Sequence, residues 1–348
     1  MIASLLLSAH AHSSDLNLLG EIDQTIPLIA HDASQKSSSM KTSGSKQIKL
    51  LHVELSSQAQ KNIAQRMSAI ETQGNPTLST SLPSKIQLAM NNVPVLDQGA
   101  FGSCVTFAVT GALDAALGQG DYISQLCSLQ LGLEFEQKGY RMSGWSGSFG
   151  SYVLSQLQSF GIINKTNQKK YGCGGYKSYP WYQQPLKGMS LSDYRQYSEN
   201  LAKDGPIYSA IIDTSQAFND DVDMDNTLTQ VKKALNNGRR VNFGVLLPRV
   251  ELGVAGAVGW HHYLKDSWVI SWYIKKYVTR KELISAGHEM IITGYDDDAI
   301  AMDNYGVRHY GLLTLRNSWS SGAGDYGDFY MSYDYFKAFA MEAYEIIL

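Results

Sequence analysis

The apolar and polar positions of the chain divide it into stretches of two periods. Leu55, Ala59, Ile63, Met67 and Ile70 fall on one face of a helix, with Ser56 as a plausible cap and Gly74-Asn-Pro76 as its stop. Ahead of it, Gln47-Ile-Lys-Leu-Leu-His-Val-Glu54 reads as a strand, and the Ser/Lys/Thr-rich stretch from Ser34 to Lys46 as flexible chain without periodicity. Further helices are predicted from Ser103 to about Gly118, over Ser124–Lys138, over Ser151–Phe160 before Gly161, and over Thr227–Asn237 before Gly238. Strands are predicted at Val241–Leu247, from His288 to Tyr295 with a turn at Asp296-Asp-Asp298, and over Gly311–Asn317. Helical signals thus dominate from about 91 to 190 and strand signals from about 191 to 348, which predicts an α+β protein of two lobes with an N-terminal extension over 12–90.

Composition changes little in this picture. Hydrophobic content of 44% with 18% charged residues is that of a globular chain. A net charge of −3 and the lack of a Lys/Arg cluster give no reason to expect a nucleic-acid partner. No apolar run is long enough to span a bilayer, so no membrane partner is expected. Residues 1–11 hold the short apolar run Ile2–Ala9 and the small-x-small Ala9-His10-Ala11, the form of a signal cleavage site, though without a preceding Lys or Arg. Secretion or export is the expectation, and of three cysteines two, Cys127 and Cys173, could then bridge or remain free buried thiols.

The chemistry concentrates in three motifs. Gln98-Gly-Ala-Phe-Gly-Ser-Cys104 opens a predicted helix, where a helix N-terminus favours thiolate and is expected to lower the pKa of Cys104. Gly287-His288 stands at the mouth of an apolar strand that closes in Gly294-Tyr295. Asn317-Ser-Trp319 ends another strand. In this order the motifs resemble those of the papain-like cysteine proteases, of which the chain looks like a divergent, bacterial-type member. The resemblance runs from Asn91 to the C-terminus.

What the resemblance implies is a two-lobed fold, helical and antiparallel barrel-like, with a cysteine endopeptidase site in the cleft. Cys104 would be the nucleophile, His288 its acid–base partner, Asn317 the residue orienting the imidazole, and Trp319 the shield of the His–Asn bond. Gln98 and the backbone N–H of Cys104 would form the oxyanion hole. Gly147, Ser148 and Phe149, with Gly287 and Glu289, would bind the substrate chain, and Ala286 and residues 340–342 would complete the main selectivity pocket. The 12–90 segment would act as an intramolecular inhibitor of a monomeric zymogen that takes polypeptide substrates and needs no cofactor. Three positions depart from the family pattern: Phe101 and Val105 replace a cysteine and an aromatic, and Ser320 follows Trp319 where glycine is usual. Two other readings use the same residues: a Cys-His-Asn acyl transferase or deamidase, and a silent binding protein. His261-His262 and Asp296–Asp298 lack the ligand spacing of a metal site, so no metal is expected.

Overall fold

A computed structural model describes residues 15–29, 42–73, 82–201, 205–279 and 284–348. The possible signal at 1–11, most of the Ser/Lys-rich stretch and the Gly74–Pro76 stop lie outside them. In chain order the elements are β1 (Leu16–Ile29), β2 (Thr42–Leu55), α1 (Ser57–Gln73), β3 (Lys85–Gln87), α2 (Cys104–Leu117), α3 (Gln125–Gln137), α4 (Gly150–Phe160), α5 (Lys165–Tyr171) and α6 (Leu191–Tyr197). There follow β4 (Tyr208–Ile212), α7 (Met224–Asn236), β5 (Val241–Pro248), β6 (Ser267–Trp268), α8 (Trp272–Thr279), β7 (Ile284–Met302), β8 (Arg308–Arg316), β9 (Asp328–Ser332), α9 (Tyr333–Phe339) and β10 (Ala340–Ile346). The class is α+β, with helices α2 to α6 in succession before residue 200 and most strands of a mixed sheet after it, among α7 to α9.

Helix α2 is the spine between the two parts. It is buried on every side from Cys104 to Ala115, which its run of Val, Ala, Phe, Thr and Gly allows. Gly118 closes it in the left-handed region at φ 69°, donating its N–H to Asp114 O. Asp114 is itself buried and accepts the N–H groups of Tyr122 and Ile123, tying the next turn to the helix. Ser124 caps α3 by accepting Cys127 N–H at 2.9 Å, as its place before the apolar run suggests. Cys127 of α3 is joined to Cys173 by a disulfide, which settles the pairing that the sequence leaves open.

The sheet runs β4-β10-β5-β7-β8-β9-β6, with β6 and β9 parallel and the other neighbours antiparallel. Its longest strand, β7, does not end at Asp296–Asp298 as the acidic run suggests. It passes a register irregularity between Asp296 and Ile300 and continues to Met302. The carboxylates are accommodated by cations from other elements, Lys85 on Asp296 and Lys232 on Asp297.

The N-terminal extension is built into this sheet. β1 and β2 form a long antiparallel hairpin, and β2 pairs with β7 from Leu51↔Gly287 to Glu54↔Ile284. Residues 42–46 are therefore strand, not flexible chain, because they pair with 26–29. Ser56 caps α1 through its Oγ on Ala59 N–H. The face predicted for α1 is buried at Ala59, Ile63 and Met67, and the helix packs on α9 and α8. Asn62, also buried, donates to Phe218 O at 2.6 Å.

Candidate active site

Three elements deliver the predicted catalytic residues. Cys104 is the first residue of α2, His288 lies early in β7, and Asn317 follows the last residue of β8. His288 Nε2 and Asn317 Oδ1 are 2.9 Å apart, and the same Oδ1 accepts Ser318 N–H at 2.7 Å. An amide oxygen can only accept, so the imidazole carries its proton on Nε2 when neutral. Its Nδ1 is buried with no hydrogen-bond partner. The Trp319 ring is stacked on the imidazole at 4.5 Å between centroids and 21° between planes, and is itself buried. Trp268 and Phe329 back it from the sheet.

The sulfur of Cys104 lies where it meets the backbone N–H groups of Glu289, Val105 and Cys104 itself. Contact with Glu289 N–H sets the thiol beside the strand residue next to His288. These N–H groups favour thiolate, as the helix N-terminus predicts. They are outweighed. Burial, and then the nearby Glu289 carboxyl group, push the Cys104 thiol up to about 12. Burial likewise pushes His288 down to about 4, against the hydrogen bond from Asn317 that favours its charged form. The expected lowering of the thiol pKa is thus reversed, because burial outweighs the helix N-terminus, and burial favours the neutral form of each group.

Gln98 is buried and held at four points. Its N–H donates to Ser318 O and its Oε1 accepts from Ser318 Oγ at 2.8 Å. Its Nε2 donates to Phe101 O at 2.8 Å, and its carbonyl accepts from Tyr179 Oη. Ser318, which the sequence did not single out, therefore fixes the orientation of the Gln98 amide. One N–H of Nε2 serves Phe101, which leaves its second hydrogen as the donor available to an oxyanion. Phe101 fills its place by packing edge-on against Trp145 and Tyr179.

The hairpin occupies the cleft. Gly147 has φ 116°, and a side chain there would start 2.6 Å from Leu51 Cδ1. Gly287, opposite, faces Leu51 and Val53 of β2 together with Met341. Leu51 is thus clasped between the two glycines predicted to hold substrate and shares one apolar cluster with Phe149, Ala286 and Met341. Glu21 of β1 reaches Gly102, two residues before Cys104, and Lys49 pairs with it at 2.8 Å. Lys46 pairs with Asp97, the neighbour of Gln98. Strand β2 so meets Asp97 through Lys46 and Gly147 through Leu51.

Glu289 neither lines an open pocket nor faces water. Its carboxyl group is buried against Asn242 and Glu342, the latter accepting Gly150 N–H at 2.7 Å at the start of α4. Burial, and then the neighbouring Glu342, raise Glu289 well above its ordinary value; burial, with a smaller push from Asp213, raises Glu342 to about 7. Ser148 is buried beside Gly147 and Phe149 precedes the first turn of α4. His261 and His262 lie far along the sheet, stacked on each other and bonded to Ile300 O and Asp325. Among the described residues no three His, Cys, Asp or Glu side chains converge as metal ligands. Nor does any described helix have the length and apolarity to cross a membrane.

No family model and no curated protein matches the sequence. Solved structures do. The chain is similar to xylellain, a cysteine protease from Xylella fastidiosa, at 21% identity over 78% of this chain and 90% of that one, with a TM-score of 0.49. It is similar to digestive procathepsin L 3 of the Tenebrio molitor larval midgut at 18% identity, over 83% and 79% of the two chains and a TM-score of 0.45. With the bromelain protease from Ananas comosus it shares 14% identity over 77% of this chain and 100% of that one, at a TM-score of 0.43.

Proposed function

We propose that this chain is a papain-like cysteine peptidase made as a zymogen, with its own β1–β2 hairpin seated in the cleft. The observation that carries the reading is the His288–Asn317 bond under Trp319. It fixes the tautomer and leaves Nδ1 unpartnered on an imidazole one residue from the backbone that touches Cys104 Sγ.

The steps follow from these positions. With a substrate in place of the hairpin, Nδ1 of His288 takes the Cys104 proton, and the sulfur attacks the peptide carbonyl carbon. Negative charge gathers on the carbonyl oxygen, where the free N–H of Gln98 and the Cys104 backbone N–H are donors; such a donor is worth about 2.7–4 kcal/mol. The imidazolium returns its proton to the leaving nitrogen as the C–N bond breaks. Water, deprotonated by the same imidazole, then cleaves the thioester and restores the thiol. Asn317 holds the ring in one orientation throughout, and Trp319 keeps water from the bond that does so.

The hairpin accounts for the dormant pair. It buries sulfur and imidazole together, so neither charge is solvated, and the proton stays on sulfur. Its departure admits water and substrate dipoles, which stabilise both charges and bring the two groups toward an ion pair. The disulfide supports the companion reading that the protein is exported, since such bonds persist in oxidising compartments. The test is hydrolysis of unfolded polypeptide by the full-length chain carrying Leu51→Ala, which loosens the hairpin, with Cys104 intact and with Cys104→Ser added. Turnover in the first and none in the second is expected. Equal turnover in both would remove Cys104 from the mechanism.

A further inference from the structure

The cleft has a second arm at the Asp97 end of β2, where Lys46 rather than Leu51 makes the contact, and its chemistry is polar. Asp97 stands there, bridged through its backbone to Trp319 and one residue before Gln98. Its Oδ1 accepts Gly99 N–H at 2.8 Å, which fixes the carboxylate in place. The same oxygen receives Lys46 Nζ from β2, whose side chain is only 12% exposed. The rings of Tyr179 and Trp181 lie within 4 Å of the point where a side chain on Gly99 would begin, and Trp181 is 59% exposed. On this arm the hairpin also touches the loop after Trp319, Ile29 N–H donating to Gly322 O at 2.7 Å.

We propose that Asp97 selects substrates with Lys or Arg on the leaving-group side of the scissile bond, and that Lys46 occupies this subsite in the closed chain. The inference rests on the peptidase reading and specifies its substrate class. When the hairpin leaves, Asp97 loses its cation but keeps the Gly99 bond that orients it. A held carboxylate beside the catalytic centre must then be met by water or by a substrate cation. A basic side chain restores the ion pair and can lay its aliphatic stem or guanidinium along the exposed Trp181 ring. An acidic side chain in the same place meets a like charge. Because the pair is partly solvated, the preference is modest, about five- to twentyfold in kcat/KM for basic over neutral peptides.

The experiment uses the full-length chain carrying Leu51→Ala, in which the hairpin releases more often, with Asp97 intact or changed to Asn or Lys. Each protein is incubated with a proteome-derived peptide mixture, and products are sequenced by mass spectrometry. Thermal melts check that each variant is folded. The expected profile has Lys and Arg enriched at one fixed leaving-group position when Asp97 is intact. In Asp97→Asn the basic-over-neutral ratio falls toward one, and in Asp97→Lys the preference turns to acidic residues. Cleavage without basic enrichment, or with enrichment unchanged in both variants, overturns the selectivity. Should neither variant fold, the profile with Asp97 intact still decides. Absence of all cleavage removes the peptidase reading itself, and the selectivity with it.

Discussion

Leu51→Ala removes the side chain that spans the cleft between Gly147 and Gly287. Leu51 is buried at 5% exposure in a pocket of Phe149, Ala286 and Met341. A buried Leu→Ala change costs about 2–5 kcal/mol, and the low end applies where a flexible methionine can move into the space. A loss of about 2–3 kcal/mol falls on the seated hairpin, because the open state already lacks these contacts. That raises the open population by about 30- to 150-fold. Cys104 is the free thiol, so alkylation by iodoacetamide, followed by intact mass, reads its exposure. In the closed form a thiol at about 12 is ionised to roughly one part in 10⁴ at pH 8, against about a quarter for an ordinary thiol near 8.5. The greater nucleophilicity of the more basic thiolate recovers only part of this, so the closed form reacts about two orders of magnitude more slowly. Cys104 is also only 2% exposed in the closed form, out of reach of the reagent. Labelling therefore proceeds through the open state, and its rate should rise in Leu51→Ala with the open population, by up to about the same 30- to 150-fold factor. A folded Leu51→Ala protein that labels at the wild-type rate would refute the reasoning, since Leu51 would not then gate the thiol.

Three further outcomes are expected. Glu342 keeps its proton in the folded chain up to about pH 7 but would release it near 4.5 when unfolded, so its stabilisation is full below pH 4.5 and lost as pH rises through 7. Glu342→Gln, which retains an acceptor for Gly150 N–H, should flatten that loss by about 3 kcal/mol in melts between pH 4.5 and 7.5; an unchanged slope would contradict it. Reducing the Cys127–Cys173 bond, which closes a separation of 46 residues, should cost about 4 kcal/mol by loop entropy, seen as a lower Tm with reductant; no fall in Tm would contradict this. Asn317→Ala leaves His288 Nε2 buried without an acceptor and its ring free to turn, so kcat should fall about tenfold or more with KM little changed. An equal rise in KM instead would mean that Asn317 serves binding.

The site was legible because its residues lie in local motifs whose neighbours announce their setting: a Gly-Ser pair before a helix, a Gly-His before an apolar strand, an Asn-Ser-Trp after one. Helices α1 to α4 and α7 were legible through the period of their apolar faces. What was not legible depends on contacts between distant parts of the chain. Strand β1 shows mostly half-exposed positions, and it is held by pairing with β2 and not by an apolar face of its own. The continuation of β7 through three aspartates requires Lys85 and Lys232 from other elements. The high thiol pKa reverses the local helix effect because the folded chain buries the sulfur, with Glu289 near it. Leu51 carried one available signal, a strand pattern in an extension expected to block a cleft, whereas Lys46 fell in the stretch read as flexible. Asp97 carried another, an acidic side chain next to the oxyanion glutamine.

The central claim is that Cys104 forms the bond to the substrate carbonyl while His288 moves the proton. Rapid acid quench of the full-length chain during turnover of an ester or peptide, with mapping of its peptides by mass, looks for that thioester directly. The account predicts an acyl adduct on Cys104 that accumulates in the full-length Leu51→Ala chain, whose hairpin is loosened, and is absent at the same times when His288→Ala is added. Turnover with Cys104 unmodified, or with the acyl group on another residue, would contradict it.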